Sequence, residues 1–571
     1  MKQGILSVGA GNFRKFSEFT QISLNQLTLL TGSNGSGKSS ISKALQLLLE
    51  NLKYQDTSSV CGMKMKMPFS FDSSKFEEIN IGTFSRAISK EDEENNAIVF
   101  YSQFVVPENE TRRPDAISFL VNVKKGPNLI DGQVSSISIE SLQRQVIISI
   151  DFEASQITAQ VDLYQSKIYD NEINAEDEMD NIIFGFDSYG RRLEDSDCFP
   201  ESQRKNQYDE KYLAQSVVKD ILNGNQNKEF KFYFSLTGSE IFCINQDVHS
   251  IYKDRPFIAG IIYSLANHYL DDGDFSDSKL SEEEIKLVRS KKEVFEEVSR
   301  VVQSAITDND IIYDHAHTSS HNSLFSVKDK NDYVAKTMHE LYKLGLGTSE
   351  IDPEDNHSWI TKFILKWMDK DHFAIGSGYE VININDGGEF YAVKIQNLDG
   401  KTLNLCDFGS GTIQLLTLLF RIATYLKKYS NDRRNVVVIV EEPEQNLHPK
   451  MQSKLADFFY DIFSNDEFQR RSQVIANFNL IVETHSEYLI RRSQIIVGDN
   501  FGSDETISDN PFKVNYFPKE GQPYDLVYTK SGMFENKFGP GFLDELNVQE
   551  SSYEYFYIVI FSKRVMYRRR L

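Results

Sequence analysis

Residues 1–165 alternate between apolar and polar positions, or carry short apolar runs, as β-strands do. One apolar run, Leu27–Leu30, leads directly into a glycine-rich turn, and a helix with an apolar face is predicted after it, from about Ser39 to Leu52. Three later segments have strand patterns: Ala97–Phe104, Val146–Phe152 and Thr158–Leu163. We therefore predict a strand–turn–helix unit followed by strands that pair antiparallel.

Residues 166–355 have a different pattern, because they are polar, acidic in patches and helical in tendency. The clearest helix is predicted to begin at Ser281, which forms a capping-box sequence with Glu284. Apolar residues then recur at helical spacing along one face: Ile285, Val288, Phe295, Val298 and Val302. Since strand patterns return afterwards, we interpret this part as a mainly helical insertion whose apolar face serves for packing or for a partner.

The chain beyond residue 355 is again a mixture of helices and strands. Trp359–Met368 predicts a helix, and Asn385–Gly388 is a hairpin-turn sequence between strands at Glu380–Ile384 and Phe390–Ile395. These patterns divide the chain into four segments: 1–165, the insertion at 166–355, 356–500, and a small C-terminal α/β extension at 501–571.

The composition is that of a well-packed globular protein of several parts, because 571 residues exceed what one core usually covers and 40% of them are hydrophobic. No apolar run is long enough to span a bilayer, and the N-terminus lacks a hydrophobic signal core. The four cysteines are far apart and form no CxxC pair, which indicates a reducing compartment. We expect a cytoplasmic protein without a membrane partner.

The net charge of −22 bears on possible partners. An acidic protein repels a phosphate backbone on average, so nucleic-acid binding would require a local basic groove. The net charge therefore argues against nucleic-acid binding without excluding it.

The chain from Gly32 to Ser39 reads GSNGSGKS and fits the phosphate-binding pattern GxxxxGK[ST]. Its glycines let backbone N–H groups turn inward around phosphates, and the positive end of the following helix points at them. Lys38 is expected to reach the β- and γ-phosphates of ATP, and the Ser39 hydroxyl to ligate Mg²⁺. A plain glycine- and serine-rich turn is the alternative, but the strand before it and the helix after it favour a nucleotide site. The residues expected to contact ATP are Gly32, Asn34, Gly35, Ser36, Gly37, Lys38, Ser39 and Ser40.

A second motif ends the apolar run Asn435–Val440 with two carboxylates, Glu441 and Glu442. A parallel strand in the core of a nucleotide-binding fold delivers its terminal side chains to the ligand crevice. Glu441 is expected to hold Mg²⁺ through water, although aspartate is commoner at this position, and Glu442 to polarise the attacking water. Surface acids at a strand end are the alternative.

Two further elements are weak when each is taken alone. A Gly-Ser-Gly sequence at 409–411 precedes the apolar helix Leu415–Leu426, and glycines at a helix start can bind an anion. Asn479–Glu483 is another apolar strand, and it is followed closely by His485. An ordinary capped helix and a structural histidine are the alternative interpretations.

Taken together, these elements resemble the OLD-like branch of the ABC-type AAA ATPases, which is akin to the RecF and SMC proteins. The resemblance lies in VEEPEQNLHP (Val440–Pro449), ETHSEYLIRR (Glu483–Arg492) and DFGSGTIQLL (Asp407–Leu416), and more weakly in Ile79–Phe100. It covers residues 1–165 and 355–545. It implies an α/β fold, namely an ABC-type P-loop ATPase head with a mixed sheet, helices and an antiparallel β subdomain.

In this branch two heads dimerise with two ATP molecules between them, so the resemblance implies a dimer or a higher even-numbered oligomer. Gly409, Ser410 and Gly411 would then contact the γ-phosphate bound by the opposite subunit, and His485 would sense the γ-phosphate. His448 stands at the D-loop position, and Gln103 is the candidate Q-loop glutamine. The implied catalytic residues are Lys38, Glu442 and His485, with Ser39 and Glu441 at Mg²⁺.

The resulting hypothesis is an ATP-hydrolysing switch that controls an effector, a nuclease or toxin encoded nearby, in bacterial antiviral defence. The defence role rests on the resemblance alone. A DNA-repair or chromosome-maintenance clamp of the RecF/SMC kind is the alternative, and a transporter ATPase is a third. Too few residues follow His485 for an ordinary Toprim nuclease domain, so we expect a stand-alone ATPase.

One cluster of metal-ligating residue types lies outside these motifs. Asp314, His315, His317 and His321 are close together in sequence and could ligate a metal. Because aspartate, histidine, serine and asparagine also gather in turns, we interpret this segment as a polar loop.

Overall fold

The computed structural model describes the residues 4–53, 67–71, 81–90, 96–106, 115–127, 130–142, 146–154, 156–161, 182–184, 232–235, 256–269, 282–315, 322–329, 332–351, 358–384, 389–430, 434–464, 478–503 and 507–539. Their strands are β1 (Gly4–Gly11), β2 (Thr20–Ser23), β3 (Leu27–Gly32), β4 (Pro68–Phe69), β5 (Ala97–Val106), β6 (Asp115–Lys125), β7 (Gly132–Ser141), β8 (Val146–Asp151), β9 (Gln156–Val161), β10 (Ile182–Phe184), β11 (Phe232–Ser235), β12 (Asn309–Asp314), β13 (Phe325–Ser326), β14 (Gly378–Asn383), β15 (Phe390–Gln396), β16 (Thr402–Asn404), β17 (Asn435–Glu441), β18 (Phe478–Glu483), β19 (Phe512–Phe517) and β20 (Tyr524–Leu526). Their helices are α1 (Lys38–Lys53), α2 (Phe84–Ala87), α3 (Phe257–Tyr269), α4 (Glu282–Thr307), α5 (Tyr333–Lys343), α6 (Ser358–Met368), α7 (Ser410–Lys428), α8 (Pro449–Ser464) and α9 (Glu487–Asn500).

A six-stranded sheet, in the order β12-β17-β18-β3-β19-β20, carries the predicted motifs. The first five of these strands are parallel, and β20 is antiparallel to β19. Every residue of β3 and β18 is buried, which explains why their sequences, LTLLTG and FNLIVE, are rich in apolar residues without strict apolar–polar alternation. The carboxyl ends of parallel strands meet at one edge of a sheet. The phosphate-binding loop Gly32–Ser39 (the P-loop), Glu441 and His485 therefore come to the same edge.

Each face of this central sheet is covered by its own hydrophobic core. On one face, Val437 and Ile439 of β17 pack with α1, α3, α4 and the antiparallel strands that follow α1. On the other face, Val436 and Val438 pack with α5 through α9. With both faces buried, the strand ends are held in fixed positions relative to one another.

A second sheet has ten strands and is antiparallel, in the order β10-β9-β8-β7-β6-β5-β1-β2, with β11 paired to β9 and β4 to β7. Aromatic rings fill its inner side, where the Phe100 ring lies 5.1 Å from Phe13 and 5.0 Å from Phe69 between centroids. The antiparallel pairing predicted for β5, β8 and β9 is confirmed.

A third sheet of four strands, β13-β15-β14 with β16 on β15, joins the core on the α7 side. The Tyr379 ring of β14 contacts Phe420 of α7, with centroids 4.8 Å apart. The predicted antiparallel pair of β14 and β15 is confirmed, and the predicted turn at 385–388 lies outside the described residues.

Two boundaries expected from the sequence differ from the structure. Asn309–Asp314 falls within 166–355, yet it is strand β12 and pairs in parallel with β17, so it belongs to the central sheet and not to an insertion. Likewise, β19 and β20 fall within 501–571, yet they complete the central sheet beside β3. Side-chain periodicity does not identify a strand's partner, because parallel partners are joined by long crossover connections.

The helix predicted from Ser281 begins at Glu282 as α4, and the proposed capping residue Ser281 lies outside the described residues. Phe295, Val298 and Val302 are buried in the core beside the central sheet. The predicted apolar face is therefore used for packing within the chain at these positions. The segment also contributes the short strands β10 and β11 to the antiparallel sheet, while the helices α3, α4 and α5 make up most of its described residues.

Candidate nucleotide-binding site

The P-loop connects β3 to α1. Gly32 and Gly37 have φ values of 137° and 112°, which residues with a Cβ rarely adopt. A Cβ on Gly32 would lie 2.0 Å from the carbonyl oxygen of Phe517, so β19 also fixes the path of the loop. The other expected contact residues follow along the turn, with Asn34 and Gly35 exposed and Ser36 and Ser40 buried.

Lys38 is the first residue of α1, and its side chain folds back into the loop. Its Nζ donates hydrogen bonds to the carbonyl oxygens of Gly32 at 3.2 Å and Ser33 at 2.9 Å. Burial lowers the pKa of Lys38, while the nearby carboxylates of Glu483 and Glu442 act to raise it. The ammonium group is thus held inside the loop beside a group of acids.

The Ser39 hydroxyl donates a hydrogen bond of 2.6 Å to Oε2 of Glu483, the last residue of β18. Glu483 is only 1% exposed, and burial raises its pKa to about 7. Hydrogen bonds from the Ser39 and Ser42 side chains act in the opposite direction and lower this pKa. Sequence reasoning did not select Glu483, although it ends an apolar strand as Glu441 does, and the same strand-end argument identifies it.

Glu442 follows the end of β17 in an unusual backbone conformation, with φ of 44°. Its backbone N–H donates to the carbonyl oxygen of Glu483 at 2.8 Å. One carboxylate oxygen, Oε1, lies 3.6 Å from Nε2 of His485, and the other accepts a hydrogen bond from the Gln445 side chain. The carboxylate is therefore oriented from two sides at the edge where the P-loop lies.

His485 is positioned by a second residue that sequence reasoning missed. Its backbone N–H donates a hydrogen bond of 2.6 Å to Oε1 of Glu444, a 7% exposed residue of the VEEPEQNLHP segment. The preceding Thr484 N–H donates to the carbonyl oxygen of Leu30 in the P-loop strand at 2.9 Å. Burial lowers the pKa of His485, so its imidazole is neutral near pH 7.

Gly409 is the N-cap of α7 and is exposed, whereas Ser410 and Gly411 are half-buried. Among the described residues, no hydrogen bond joins these three positions to the P-loop. α7 instead approaches the loop after Glu442: the Gln414 side chain donates to the carbonyl oxygen of Pro443 at 3.2 Å. A Cβ on Gly411 would lie 2.7 Å from the carbonyl oxygen of Asn446.

The D-loop and Q-loop candidates lie in different parts of the molecule. His448 is exposed at the start of α8, where its carbonyl oxygen accepts from the Met451 N–H at 2.7 Å. Gln103 lies in β5 of the antiparallel sheet, and its Oε1 is 3.5 Å from the Ser7 hydroxyl. Its contacts are thus those of a strand residue.

The Asp314–His321 segment is divided by the structure. Asp314 is 3% exposed and forms an ion pair with Arg421 of α7, and Nδ1 of His315 lies 3.9 Å from Oε2 of Glu441. Residues 316–321, including both remaining histidines, lie outside the described residues. The described residues contain no group of three or more His, Cys, Asp or Glu side chains arranged to hold a metal ion.

The parallel central sheet, the P-loop and the carboxylates at the strand ends define an α/β P-loop nucleotide-binding fold. The family model described as an AAA ATPase domain matches residues 5–490, and the chain belongs to this family. No curated protein is significantly similar to the chain in sequence. Within the described residues, no helix has both the length and the apolar character needed to cross a membrane.

Solved structures that resemble the chain include heads of SMC proteins. The Smc head domain of Pyrococcus furiosus with an extended coiled coil, bound to the C-terminal domain of ScpA, is 12% identical, with a TM-score of 0.30 over 92% of this chain and 96% of that one. The Smc head domain of Pyrococcus yayanosii with a coiled coil and joint is 12% identical, with a TM-score of 0.33 over 92% and 98%. The SMC head domain of Thermotoga maritima is 9% identical, with a TM-score of 0.29 over 91% and 98%.

Proposed function

We propose that this protein binds ATP with Mg²⁺ at the P-loop and hydrolyses it. The observation that carries the proposal is the meeting of Lys38, Ser39, Glu442 and His485 at one edge of the central sheet. Lys38 and Ser39 lie on the helix after β3, Glu442 and His485 follow the neighbouring strands β17 and β18, and the nucleotide-binding class of the family agrees with that geometry.

The residues present fit a magnesium nucleotide. The Ser33 and Ser36 hydroxyls are buried in the loop without a hydrogen-bond partner in the described part of the chain, which suits phosphate oxygens. Ser39 and Glu441 would hold Mg²⁺, the serine directly and the glutamate through water. The bound metal would neutralise charge that develops on the phosphate oxygens.

Each catalytic side chain then has a defined task. The Lys38 ammonium group gives up its hydrogen bonds to the two carbonyl oxygens and places its positive charge beside the β- and γ-phosphates. The Glu442 carboxylate accepts a hydrogen bond from the attacking water. The Gln445 side chain holds this carboxylate in place by donating a hydrogen bond to it. In the neutral tautomer that carries its proton on Nε2, the atom 3.6 Å from Glu442, His485 would donate a hydrogen bond to the γ-phosphate side of the site.

Two substitutions test the roles given to Lys38 and Glu442. Lys362→Ala, at an exposed position of α6, is the control. Lys38→Ala should weaken ATP binding about 10- to 100-fold, because a charged hydrogen-bond donor is lost. Glu442→Gln should bind ATP normally but hydrolyse it about 10²- to 10⁴-fold more slowly. Binding is measured with a fluorescent ATP analogue and turnover by phosphate release. Normal turnover in the Glu442→Gln protein would show that a different carboxylate acts on the water.

The active unit in this proposal is a dimer or a higher even-numbered oligomer. Gly409, Ser410 and Gly411 stand at the start of α7 with no hydrogen bond to their own P-loop among the described residues, and they are at least partly exposed. The family resemblance places this element on the γ-phosphate of the opposite subunit. Isologous pairing of the same face would then form two equivalent composite sites.

The biological role we propose is a cytoplasmic switch in antiviral defence that controls a separate effector, a nuclease or toxin encoded nearby. Only the OLD-like resemblance supports the defence role. A DNA clamp of the RecF/SMC kind is the competing proposal, and the net charge of −22 weighs against it. ATP hydrolysis measured with and without duplex DNA at low salt separates them, because a clamp should be stimulated by DNA.

A further inference from the structure

Two consecutive residues at the end of β12 contact two different functional elements. Asp314 is paired with Arg421 of α7, the helix that begins with the Gly409–Gly411 element. The next residue, His315, has its Nδ1 3.9 Å from Oε2 of Glu441, the carboxylate assigned to the metal. The end of β12 therefore lies between the metal side of the nucleotide site and α7.

An aromatic ring joins these two contacts. Tyr333 is the first residue of α5, and its ring centroid is 5.2 Å from the His315 ring and 5.4 Å from the Arg421 guanidinium carbon. The second contact is a cation–π arrangement. The start of α5 is fixed in turn, because Asp332 caps it by accepting a hydrogen bond of 3.0 Å from the Ala335 N–H.

The Arg421 end of this arrangement is rigid. Arg421 is 7% exposed, its partner Asp314 is 3% exposed, and Arg421 Nε donates to the Tyr425 hydroxyl at 3.1 Å. A buried ion pair of this kind is costly to break, so the two elements move together. Arg421 lies ten residues after Gly411 on α7, a distance of about 15 Å along the helix axis.

We propose that His315, Tyr333 and the Asp314–Arg421 ion pair form a positioning unit that couples the Glu441 carboxylate to α7. When Mg²⁺ and ATP engage Glu441, the shift of that carboxylate changes the His315–Tyr333 contact, and α7 reorients its Gly409–Gly411 end. Each subunit thereby presents this end to its partner only when its own P-loop is filled. The proposal rests on the proposed function, since it assumes that ATP binds at the P-loop.

Hydrogen exchange tests the unit in the full-length Glu442→Gln protein, which should bind ATP but hydrolyse it very slowly. This protein is the parent of the variants below. In the parent, ATP and Mg²⁺ should slow exchange in peptides covering 32–45 and change exchange in peptides covering 408–416, even at dilutions where the protein is monomeric. His315→Ala and Tyr333→Ala should keep the protection of 32–45 but lose at least about two-thirds of the change at 408–416. The reason is that each substitution removes the His315–Tyr333 contact through which the start of α7 responds. Tyr333→Phe, which retains the ring, should restore it.

Tyr342→Ala is the matched control, because Tyr342 lies on the same helix, is 44% exposed and contacts Tyr391 instead. Combining His315→Ala with Tyr333→Ala should add nothing to either single change if both act through one route.

Protection at 32–45 with no change at 408–416 in the parent overturns the coupling while leaving ATP binding intact. Loss of protection at 32–45 in the parent overturns ATP binding, and the coupling with it. Full additivity of the two substitutions also contradicts a single route.

Discussion

Replacement of Glu483 by glutamine gives a prediction whose size follows from the structure. Burial raises the pKa of this carboxyl from its ordinary 4.5 to about 7 in the folded protein. Because the folded-state pKa is above the unfolded one, the folded protein binds this proton more tightly. Stability from this group is therefore fully present below about pH 4.5 and is lost as the pH rises through about 7. The ionised form costs about 3 kcal/mol at pH 8.

Glu483→Gln removes the charge and keeps an oxygen that can accept the Ser39 hydrogen bond. At about 2.1 cal/mol/K per residue, the unfolding entropy of a chain of 571 residues is about 1.2 kcal/mol/K, so 3 kcal/mol corresponds to about 2–3 °C in Tm. The variant should melt higher than the parent by this amount at pH 8, and the difference should shrink as the pH falls and vanish at about pH 4. Nucleotide-free melting curves in a chelator measure it.

The control for that series is Glu350→Gln, since Glu350 is exposed and its substitution should leave Tm unchanged. Equal melting temperatures of Glu483→Gln and parent at pH 8 would refute the reasoning. A difference that grows as the pH falls would refute it equally, because it would mean that the ionised carboxylate stabilises the fold.

Three further outcomes are expected. Mixing Lys38→Ala with Ser410→Arg in equal amounts should recover about a quarter of wild-type hydrolysis, since half of the dimers hold one intact composite site; no recovery from mixtures that still assemble would contradict the trans arrangement. Gly32→Ala should abolish ATP binding and lower Tm, because the added Cβ would lie 2.0 Å from the Phe517 carbonyl oxygen, whereas Gly400→Ala, with nothing within 4 Å of its Cβ, should keep ATP binding. The pure protein with ATP and Mg²⁺ or Mn²⁺ should not cut plasmid, linear or single-stranded DNA or RNA; cleavage that disappears in His315→Ala would make the Asp314–His321 segment a metal centre.

The P-loop and its flanking elements could be predicted because their signal is local. Gly32–Ser39 is a contiguous pattern, and the strand before it and the helix after it are visible within a few residues on either side. Glu441 could be selected for a similar reason, since it directly ends the apolar run of β17.

Other parts of the site depend on pairings that a local pattern does not contain. β12 is a short strand, NDIIYD, next to a polar sequence, and only its parallel register with β17 brings His315 beside Glu441. Glu444 reaches His485 because the turn after β17 brings its carboxylate back to the end of β18. Both relations are between residues far apart in sequence, so side-chain periodicity did not reveal them.

The position of β3 in the central sheet also has a consequence for how the protein is made. This strand, at residues 27–32, lies between β18 at 478–483 and β19 at 512–517. At about 5–20 residues per second, a ribosome needs on the order of 25–100 s between synthesising the P-loop strand and synthesising both of its neighbours. During that interval the buried, apolar strand Leu27–Gly32 has neither of its permanent hydrogen-bonding partners. A nascent chain of this protein should therefore depend on chaperones that cover its N-terminal strands until the last part of the head has emerged.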